Sequence, residues 1–450
     1  MIEKALKLIE ERKFVELAQL LKEENAADIA VLLGEIEETA LPLVYRILPK
    51  ELAAETFVEM EPDRQELLIQ SFSDRELREM LDELFLDDTV DIIEEMPAGV
   101  VKRILKNSDA QTRRSINEIL QYPEDSAGTI MTIEYVDLKR DMTVAQAFDH
   151  IRRTGYDKET IYDCYVTDAS RKLLGIVTVR TLLLSATDCI IGEIMDTNVI
   201  SVGTHDDQEY VAHQFEKYDF LAIPVVDAEN RLVGIVTFDD AMDVIQEENT
   251  EDIEIMGGMT PSEKTYLRST PFDLFRNRIP WLLLLMVSAT FTGMIITGFE
   301  SALAVQVVLT SFIPMLMDTG GNSGSQSSVT VIRALSLGEI EFADLAAIIW
   351  KEIRTAVLCG VVLAAACFLK ILLVDRLLMG NADVTLFVAA VVCITMALTV
   401  LVAKLIGCVL PMVAKKLGFD PAVMASPFIT TIVDAISLLI YFGIAKILLF

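Results

Sequence analysis

Residues 420–450 read DPAVMASPFITTIVDAISLLIYFGIAKILLF, an apolar run interrupted by one carboxylate, Asp434. A helix of this length crosses a bilayer, which takes roughly 20 apolar residues. A carboxylate deep in such a helix costs about 2.5–3.5 kcal/mol on insertion scales, so Asp434 is expected to face protein or water and not lipid. Two readings follow: a cation site in a pore, or an acid neutralised by a buried Lys or by protonation.

Charge is distributed very unevenly. The 450 residues are 52% hydrophobic, yet the formal net charge is −30. Residues 271–450 hold 11 acids and 11 bases, so residues 1–270 carry the whole excess. This is a neutral membrane half joined to a strongly acidic half. The acidic half argues against nucleic acid, whose phosphates are met by Lys and Arg, and suits cations. The opening MIEKALKLIEERK is an amphipathic charged helix without the apolar core of a secretory signal, so the N-terminal half is expected in the cytosol. Six cysteines, at 164, 189, 359, 367, 393 and 408, form no C-x-x-C and read as buried small hydrophobes.

Residues 1–125 read as an all-helical, acidic domain, a small solenoid of short helix pairs. Apolar residues recur at three and four, as in Ile29, Leu32 and Leu33 or Val90, Ile93 and Met96, and Pro42, Pro49, Pro62 and Pro97 punctuate the helices. Asp88, Asp91 and Glu95 share one helical face. That face is either solvated or a divalent-cation site.

Residues 126–249 contain a repeat. GTIMT starts one unit at Gly128 and GEIMD the other at Gly192. Each unit then has an amphipathic helix, around Ala145–Arg153 and Tyr210–Tyr218, and a strand–turn–strand–helix. Asp168 matches Asp227 and Gly175 matches Gly234, both 59 residues apart. The two units, 126–187 and 188–249, resemble a tandem pair of CBS domains, an α/β regulatory module. That resemblance implies an adenine-nucleotide site, with ATP as a regulator, at Gly234, Thr237 and Asp240. The first copy has Thr181 in place of the Asp. The alternative role for Asp240 is to cap the helix it begins. Residues 250–275 are expected to form a linker helix, with breaks at Gly257, Gly258, Pro261 and Pro271.

Residues 276–450 are expected to form five transmembrane helices, about Ile279–Phe299, Leu303–Leu335, Leu345–Val374, Val384–Val413 and the run quoted above. Arg268, Arg276, Arg278, Arg333, Lys351, Arg354, Lys415 and Lys416 fall on the flanks that face the cytosol if the N-terminus is inside; Arg376 falls outside. The C-terminus is then external. The second span carries MDTGGNSGSQSS, which places Asp318, Asn322 and Gln326 on one stripe at spacing four. Such a stripe belongs against other helices or along water. Its ligands are hard oxygens, and the three His (150, 205 and 213) all lie outside the membrane half. Oxygen ligands suit Mg²⁺ or Ca²⁺. Two copies of the chain would bring two Asp434 side chains around one axis.

The domain order resembles the MgtE family of magnesium channels. So do DTGGNSGSQS in the second span, LPMVAKKLGFDPA after the fourth and SPFITTIVD in the fifth. The resemblance implies a homodimer in the cell membrane, in contact with lipid, with the pore between its two membrane halves. Asp434 would be the pore carboxylate that meets hydrated Mg²⁺, and Asp420 an acid at the cytosolic mouth. Glu59, Asp91, Glu95, Glu216, Asp227 and Glu248 would sense cytosolic Mg²⁺ and shut the channel, with Mg²⁺ acting as both substrate and regulator. Glu95 departs from some relatives, which have Asp there. No His-Glu-x-x-His occurs, which argues against a membrane protease. The competing reading is a divalent-cation transporter coupled to a proton or sodium gradient.

Overall fold

The structure, a computed structural model, describes residues 1–262, 266–267, 269–381 and 383–448. Arg268, counted above among the cytosolic flanks, lies outside the described residues. The chain forms two compact units, Met1–Ile245 and Gln246–Phe450.

The first unit begins with ten short helices over residues 2–119. Proline and capping chemistry starts many of them. Pro42 and Pro62 stand in first turns, and Pro49 and Pro97 are N-caps. Proline fits there because the missing N–H has no helical partner in any case. Ser73 and Glu76 form a capping box. The expected inward positions Ile29, Leu32, Leu33, Val90, Ile93 and Met96 are all buried. One of these helices, α1 (Leu86–Glu95), carries Asp87 and Asp88 in its first turn.

Two three-stranded sheets follow, β1-β2-β3 and β4-β5-β6. The first comprises β1 (Val136–Lys139), β2 (Asp163–Thr167) and β3 (Leu173–Thr178). The second comprises β4 (Val202–Gly203), β5 (Ala222–Val226) and β6 (Leu232–Thr237). In each, the outer pair is parallel and the hairpin antiparallel. The hairpin turns are built alike. Asp168 Oδ1 accepts from the backbone N–H groups of Ser170 and Lys172 at 2.7 and 2.9 Å. Asp227 Oδ1 does the same for Glu229 and Arg231 at 2.9 and 2.8 Å. The repeats also exchange their leading segments: Thr132 bridges to Ile235, and Asp196 to Ile176. This explains the matched glycines. A Cβ on Gly234 would sit 2.7 Å from Met131 Sδ, and one on Gly175 would sit 2.9 Å from Met195 Sδ. α2 (Gln208–Tyr218) belongs to the second repeat.

The linker differs from expectation. α3 (Phe238–Met256) is one continuous helix through the expected domain edge at 249/250, because nothing breaks it before Gly257 and Gly258. The division between the two compact units falls within it. Gly258 adopts φ +70°, which ends the helix where only glycine is unstrained.

The second unit is helical. α4 (Pro271–Gly298), α5 (Ile313–Ser336), α6 (Leu345–Lys370), α7 (Leu386–Lys416) and α8 (Ser426–Leu448) are its long helices. Among the described residues, four stretches, Pro271–Gly298, Phe342–Leu378, Leu386–Lys416 and Pro421–Leu448, are long and apolar enough to cross a membrane. The expected second span, Leu303–Leu335, is different. A short helix (Glu300–Val305) and a 3-10 turn (Val307–Phe312) precede α5, and Pro314 opens a new helix in its first turn. α5 packs on α7 and α8 in the interior of this unit. Its length suits a span, but its composition is polar.

Candidate functional site

The polar residues of α5 divide by face. Gly320, Gly321, Ser323, Gly324, Ser327 and Ser328 are buried, whereas Asp318, Asn322 and Gln326 are exposed on the isolated chain. The glycines are there because neighbouring helices come very close. A Cβ on Gly320 would lie 2.6 Å from Thr399 Cγ2 on α7 and 2.9 Å from Ser437 Oγ on α8. Along the exposed stripe, Asn322 Nδ2 donates to Asp318 Oδ1 at 3.1 Å. Asp434, half-buried on α8, lies close enough to Asp318 for the two carboxylates to act on each other electrostatically. Thr430 and Thr431, which precede it on α8, donate their hydroxyls to the Pro427 carbonyl at 3.0 and 3.1 Å. The membrane unit does contain a buried lysine, Lys404, but its hydrogen-bond partner is Ser327, not Asp434.

At the start of α8, Asp420 is exposed and caps the turn Pro421–Met424, accepting from the Ala422 N–H at 2.7 Å. Within this same unit, the end of α3 docks beside that turn. Ile255 and Met256 pack on Ile332, Ala422 and Ala425, and Ser336 Oγ donates to Asp252 Oδ2 at 3.0 Å. Burial, and then the charge of Asp420, push the Asp252 carboxyl up; the Ser336 hydrogen bond opposes them. A Cβ on Gly258 would touch Pro427 at 3.0 Å. The linker therefore ends against the beginning of the helix that bears Asp434.

The first unit gathers a second set of carboxylates. Asp87, 6% exposed, and Asp88 open α1; Asp239, Asp240 and Asp243 open α3; Glu134 and Glu159 come from loops. Burial, then Asp240, push Asp88 up to about 6, and burial with Asp88 and Asp239 pushes Glu159 up to about 7. Burial also pushes Asp240 up to about 6 against its hydrogen bonds from Thr237, and Asp87 well above its ordinary value. The charges that act most strongly on these groups are other carboxylates. Among the described residues, no group of three or more His, Cys, Asp or Glu side chains is close enough together to hold a metal ion as it stands.

The residues expected from sequence to sense cations are spread over several elements, only Asp91 and Glu95 sharing one. Glu59 caps a helix end in the helical domain and is exposed, as are Asp91 and Glu95 on α1. Glu216, near the end of α2, lies 3.7 Å from His213 Nδ1. Asp227 is committed to its hairpin turn. Glu248 is on α3, in the second compact unit. Asp88 and Asp240 act on each other, although by sequence Asp88 belongs to an acidic helical face and Asp240 to a nucleotide motif. Asp240 is the third residue of α3 and so is not the cap that begins it; its Oδ2 accepts from the Thr237 hydroxyl at 2.5 Å and from the Thr237 backbone N–H at 3.3 Å. Glu134, Glu159 and Asp252 carried no local pattern that could have marked them. The doublets Asp87-Asp88 and Asp239-Asp240 did carry one, in the form of repelling charges placed side by side.

The chain matches the MgtE family of divalent cation transporters over 313–444, the MgtE intracellular N domain over 24–125, and CBS domains over 127–187 and 191–247. It is 36% identical to the magnesium transporter MgtE of Thermus thermophilus, over 96% of this chain and 95% of that one. It is 32% identical to the magnesium transporter MgtE of Bacillus subtilis, over 97% and 95%. Among solved structures, it resembles the cytosolic domain of the Mg²⁺ channel MgtE in complex with ATP (TM-score 0.52, 36% identity, 54% of this chain and 100% of that one). It also resembles the soluble part of a magnesium transporter (TM-score 0.51, 30% identity, 55% and 97%). With its domains matched in order and nearly its whole length aligned to two such transporters, the chain belongs to the MgtE family.

Proposed function

We propose that this protein is a magnesium-selective channel that admits Mg²⁺ to the cell and is closed by cytosolic Mg²⁺. The observation that carries the reading is the exposed stripe Asp318–Asn322–Gln326 on a helix whose opposite face packs against α7 and α8, with Asp434 close by. Polar side chains at membrane depth face water or another protein surface. A second copy of the chain supplies that surface, so the working form is a homodimer with the path between its membrane units. Mg²⁺ releases water reluctantly. A sparse ring of carboxylates and amides therefore suits a hydrated Mg²⁺ better than a tight cage would. Asp420 gathers ions at the cytosolic mouth. The N-terminus is cytosolic, the C-terminus external, and the membrane is that of the cell. The working divisions are a helical domain at 1–125, a CBS pair at 126–249, a linker at 250–275 and a membrane domain at 276–450.

The acidic half supplies the brake. A divalent ion gains about 4.6 kcal/mol on crossing 100 mV, roughly a thousandfold accumulation. An open pore would thus overfill the cell. Mg²⁺ entering among Asp87, Asp88, Glu159 and Asp240 would discharge their repulsion; Glu59, Asp91, Glu95, Glu216, Asp227 and Glu248 are further sensing acids. The linker's contacts with the start of α8 give such a change a route to the pore. ATP, which a 36% identical cytosolic domain binds, is a regulator held by Gly234, Thr237 and Asp240.

The test is Mg²⁺ flux into liposomes containing the purified protein, driven by voltage alone. Flux without a proton or sodium gradient is the expected result. A strict need for such a gradient would establish the coupled transporter instead.

A further inference from the structure

Lys404 is the only charged residue between Leu386 and Ala414 of α7. It lies twelve residues before Lys416, about 18 Å along the helix at 1.5 Å per residue, and is 5% exposed. Its ammonium meets Ser327 Oγ on α5 at 3.3 Å. The same hydroxyl donates to Glu352 Oε2 on α6 at 2.6 Å. Ser327 thus accepts from the cation and donates to the anion, and the three residues join three helices. Among the described residues, Ser327 is the hydrogen-bond partner that both charged groups share. The seam is tight just beside it: a Cβ on Gly407 would collide with the Gly324 carbonyl and come within 3.2 Å of Ser327 Cβ.

We propose that Lys404 is a positioning residue of the ion path. Through Ser327 it holds Glu352 and fixes the rotation and depth of α5. At about 100° per residue, Ser327 stands about 140° around the helix from Asn322. The clamp therefore grips the back of α5 while Asp318, Asn322 and Gln326 occupy the front. Hydrophobic packing alone is a poor way to fix the rotation of a helix this rich in glycine and serine, because small residues offer few knobs. A buried lysine joined to a half-buried carboxylate through a hydroxyl has one geometry, and breaking the link leaves a charge without its partner. The proposal rests on the reading of α5 as lining the path.

The test uses the full chain in liposomes, with Lys404→Met, Lys404→Arg, Glu352→Gln and the Lys404→Met/Glu352→Gln double variant. Mg²⁺ flux and discrimination against K⁺ are read, and assembly is checked by size-exclusion chromatography. Lys404→Met, which strands Glu352, should cut Mg²⁺ flux about tenfold, equivalent to about 1.4 kcal/mol, and weaken discrimination. Removing Glu352 in the same chain should restore most of both, and Lys404→Arg should keep discrimination. Wild-type behaviour of Lys404→Met overturns the clamp, as does a double variant no better than Lys404→Met. If Lys404→Met does not assemble, recovery of assembly by Glu352→Gln supports the clamp, and its failure overturns it. Asp434→Asn, measured alongside, separates the two ideas. Intact flux in that variant, with loss and rescue still seen at Lys404, removes the pore reading and leaves the clamp.

Discussion

The two compact units treat buried and half-buried carboxylates in opposite ways. In the membrane unit, Glu352 is met by Ser327 and, through it, by Lys404. In the cytosolic unit, Asp87, Asp88, Glu159 and Asp240 are surrounded by further acids, and their carboxyls are pushed up by burial and mutual repulsion. The difference follows from the solvent. Lipid supplies no counter-ion, so the chain must carry its own or lose stability. Water beside the cytosolic cluster can supply one, so the chain can leave the charges unmet. Under the proposed function, the unmet set would respond to a cation in the cytosol. Asp318 and Asp434 are the informative exception, because among the described residues no lysine is paired with these two carboxylates of the membrane unit. They follow the cytosolic rule at membrane depth, as expected for groups that meet an ion in water.

The largest effect is expected at that exception. Asp434→Asn keeps the size of the side chain and removes its charge. A unit charge about 4 Å from a cation is worth about 4 kcal/mol at an effective dielectric constant of 20, and less through a water shell. A loss of Mg²⁺ flux of roughly a hundredfold is therefore expected, with discrimination against monovalent ions falling too. Radiotracer or dye-based flux under voltage measures both. Unchanged flux would place Asp434 among the compensated acids and break the contrast.

How much of this was legible in the sequence depends on how far apart the partners are in the chain. The five long helices, the two CBS repeats and the stripe of α5 were readable because each is a local pattern: a hydropathic run, a 59-residue offset, a spacing of four. At two places the structure differs from the local pattern. α3 runs through the expected domain edge because no breaker stands between Phe238 and Met256. The expected second span is divided ahead of Ile313, where Pro314 permits a new start. The clamp was not legible, since Ser327, Glu352 and Lys404 are separated by 25 and 77 residues and none is unusual alone. The cytosolic cluster was half legible. Asp88 reads as part of an acidic face and Asp240 as part of a nucleotide motif, which keeps them apart in sequence, whereas in the fold Asp240 both folds back on Thr237 at the start of α3 and belongs to the cluster.

The next effect sharpens the cytosolic side of the contrast. Asp88→Asn with Asp240→Asn removes two carboxylates that repel each other and would share a cation. Mg²⁺ closure of the channel, and protection of the acidic half from protease, should then need about tenfold more Mg²⁺, the equivalent of about 1.4 kcal/mol of lost attraction. Asp88→Asn alone should shift closure and leave ATP binding, followed by calorimetry, unchanged. Asp240→Asn should weaken both, because Asp240 also belongs to the nucleotide motif. If the double variant closes at the same Mg²⁺ as the parent, closure belongs to the exposed acids Glu59, Asp91, Glu95 and Glu216 instead.

The smallest effect is on stability, and it has an unusual sign. Paired surface carboxylates such as Glu76, which Arg46 and the capping Ser73 hold at about 2, stabilise a fold at neutral pH and weaken it only in strong acid. Asp88, Glu159 and Asp240 do the reverse, with folded values of about 6, 7 and 6 against ordinary values of 3.8, 4.5 and 3.8. Between about pH 4 and pH 7, the folded unit binds more protons at these groups than the unfolded chain does. Its stability therefore falls as pH rises through that window. Residues 1–245, which have their own hydrophobic cores, should melt higher at pH 5 than at pH 7.5. The shift should be on the order of 5 °C, given about 2–4 °C per kcal/mol for a domain of this size. Millimolar Mg²⁺ should raise the pH 7.5 value and leave the pH 5 value nearly unchanged, because a proton and a cation relieve the same repulsion. Asp88→Asn with Asp240→Asn should flatten the pH profile and the Mg²⁺ response together. A melting temperature that rises from pH 5 to pH 7.5 in the parent, or a Mg²⁺ effect equal at both, would mean that basic groups already compensate the cluster and that the two units handle their acids alike.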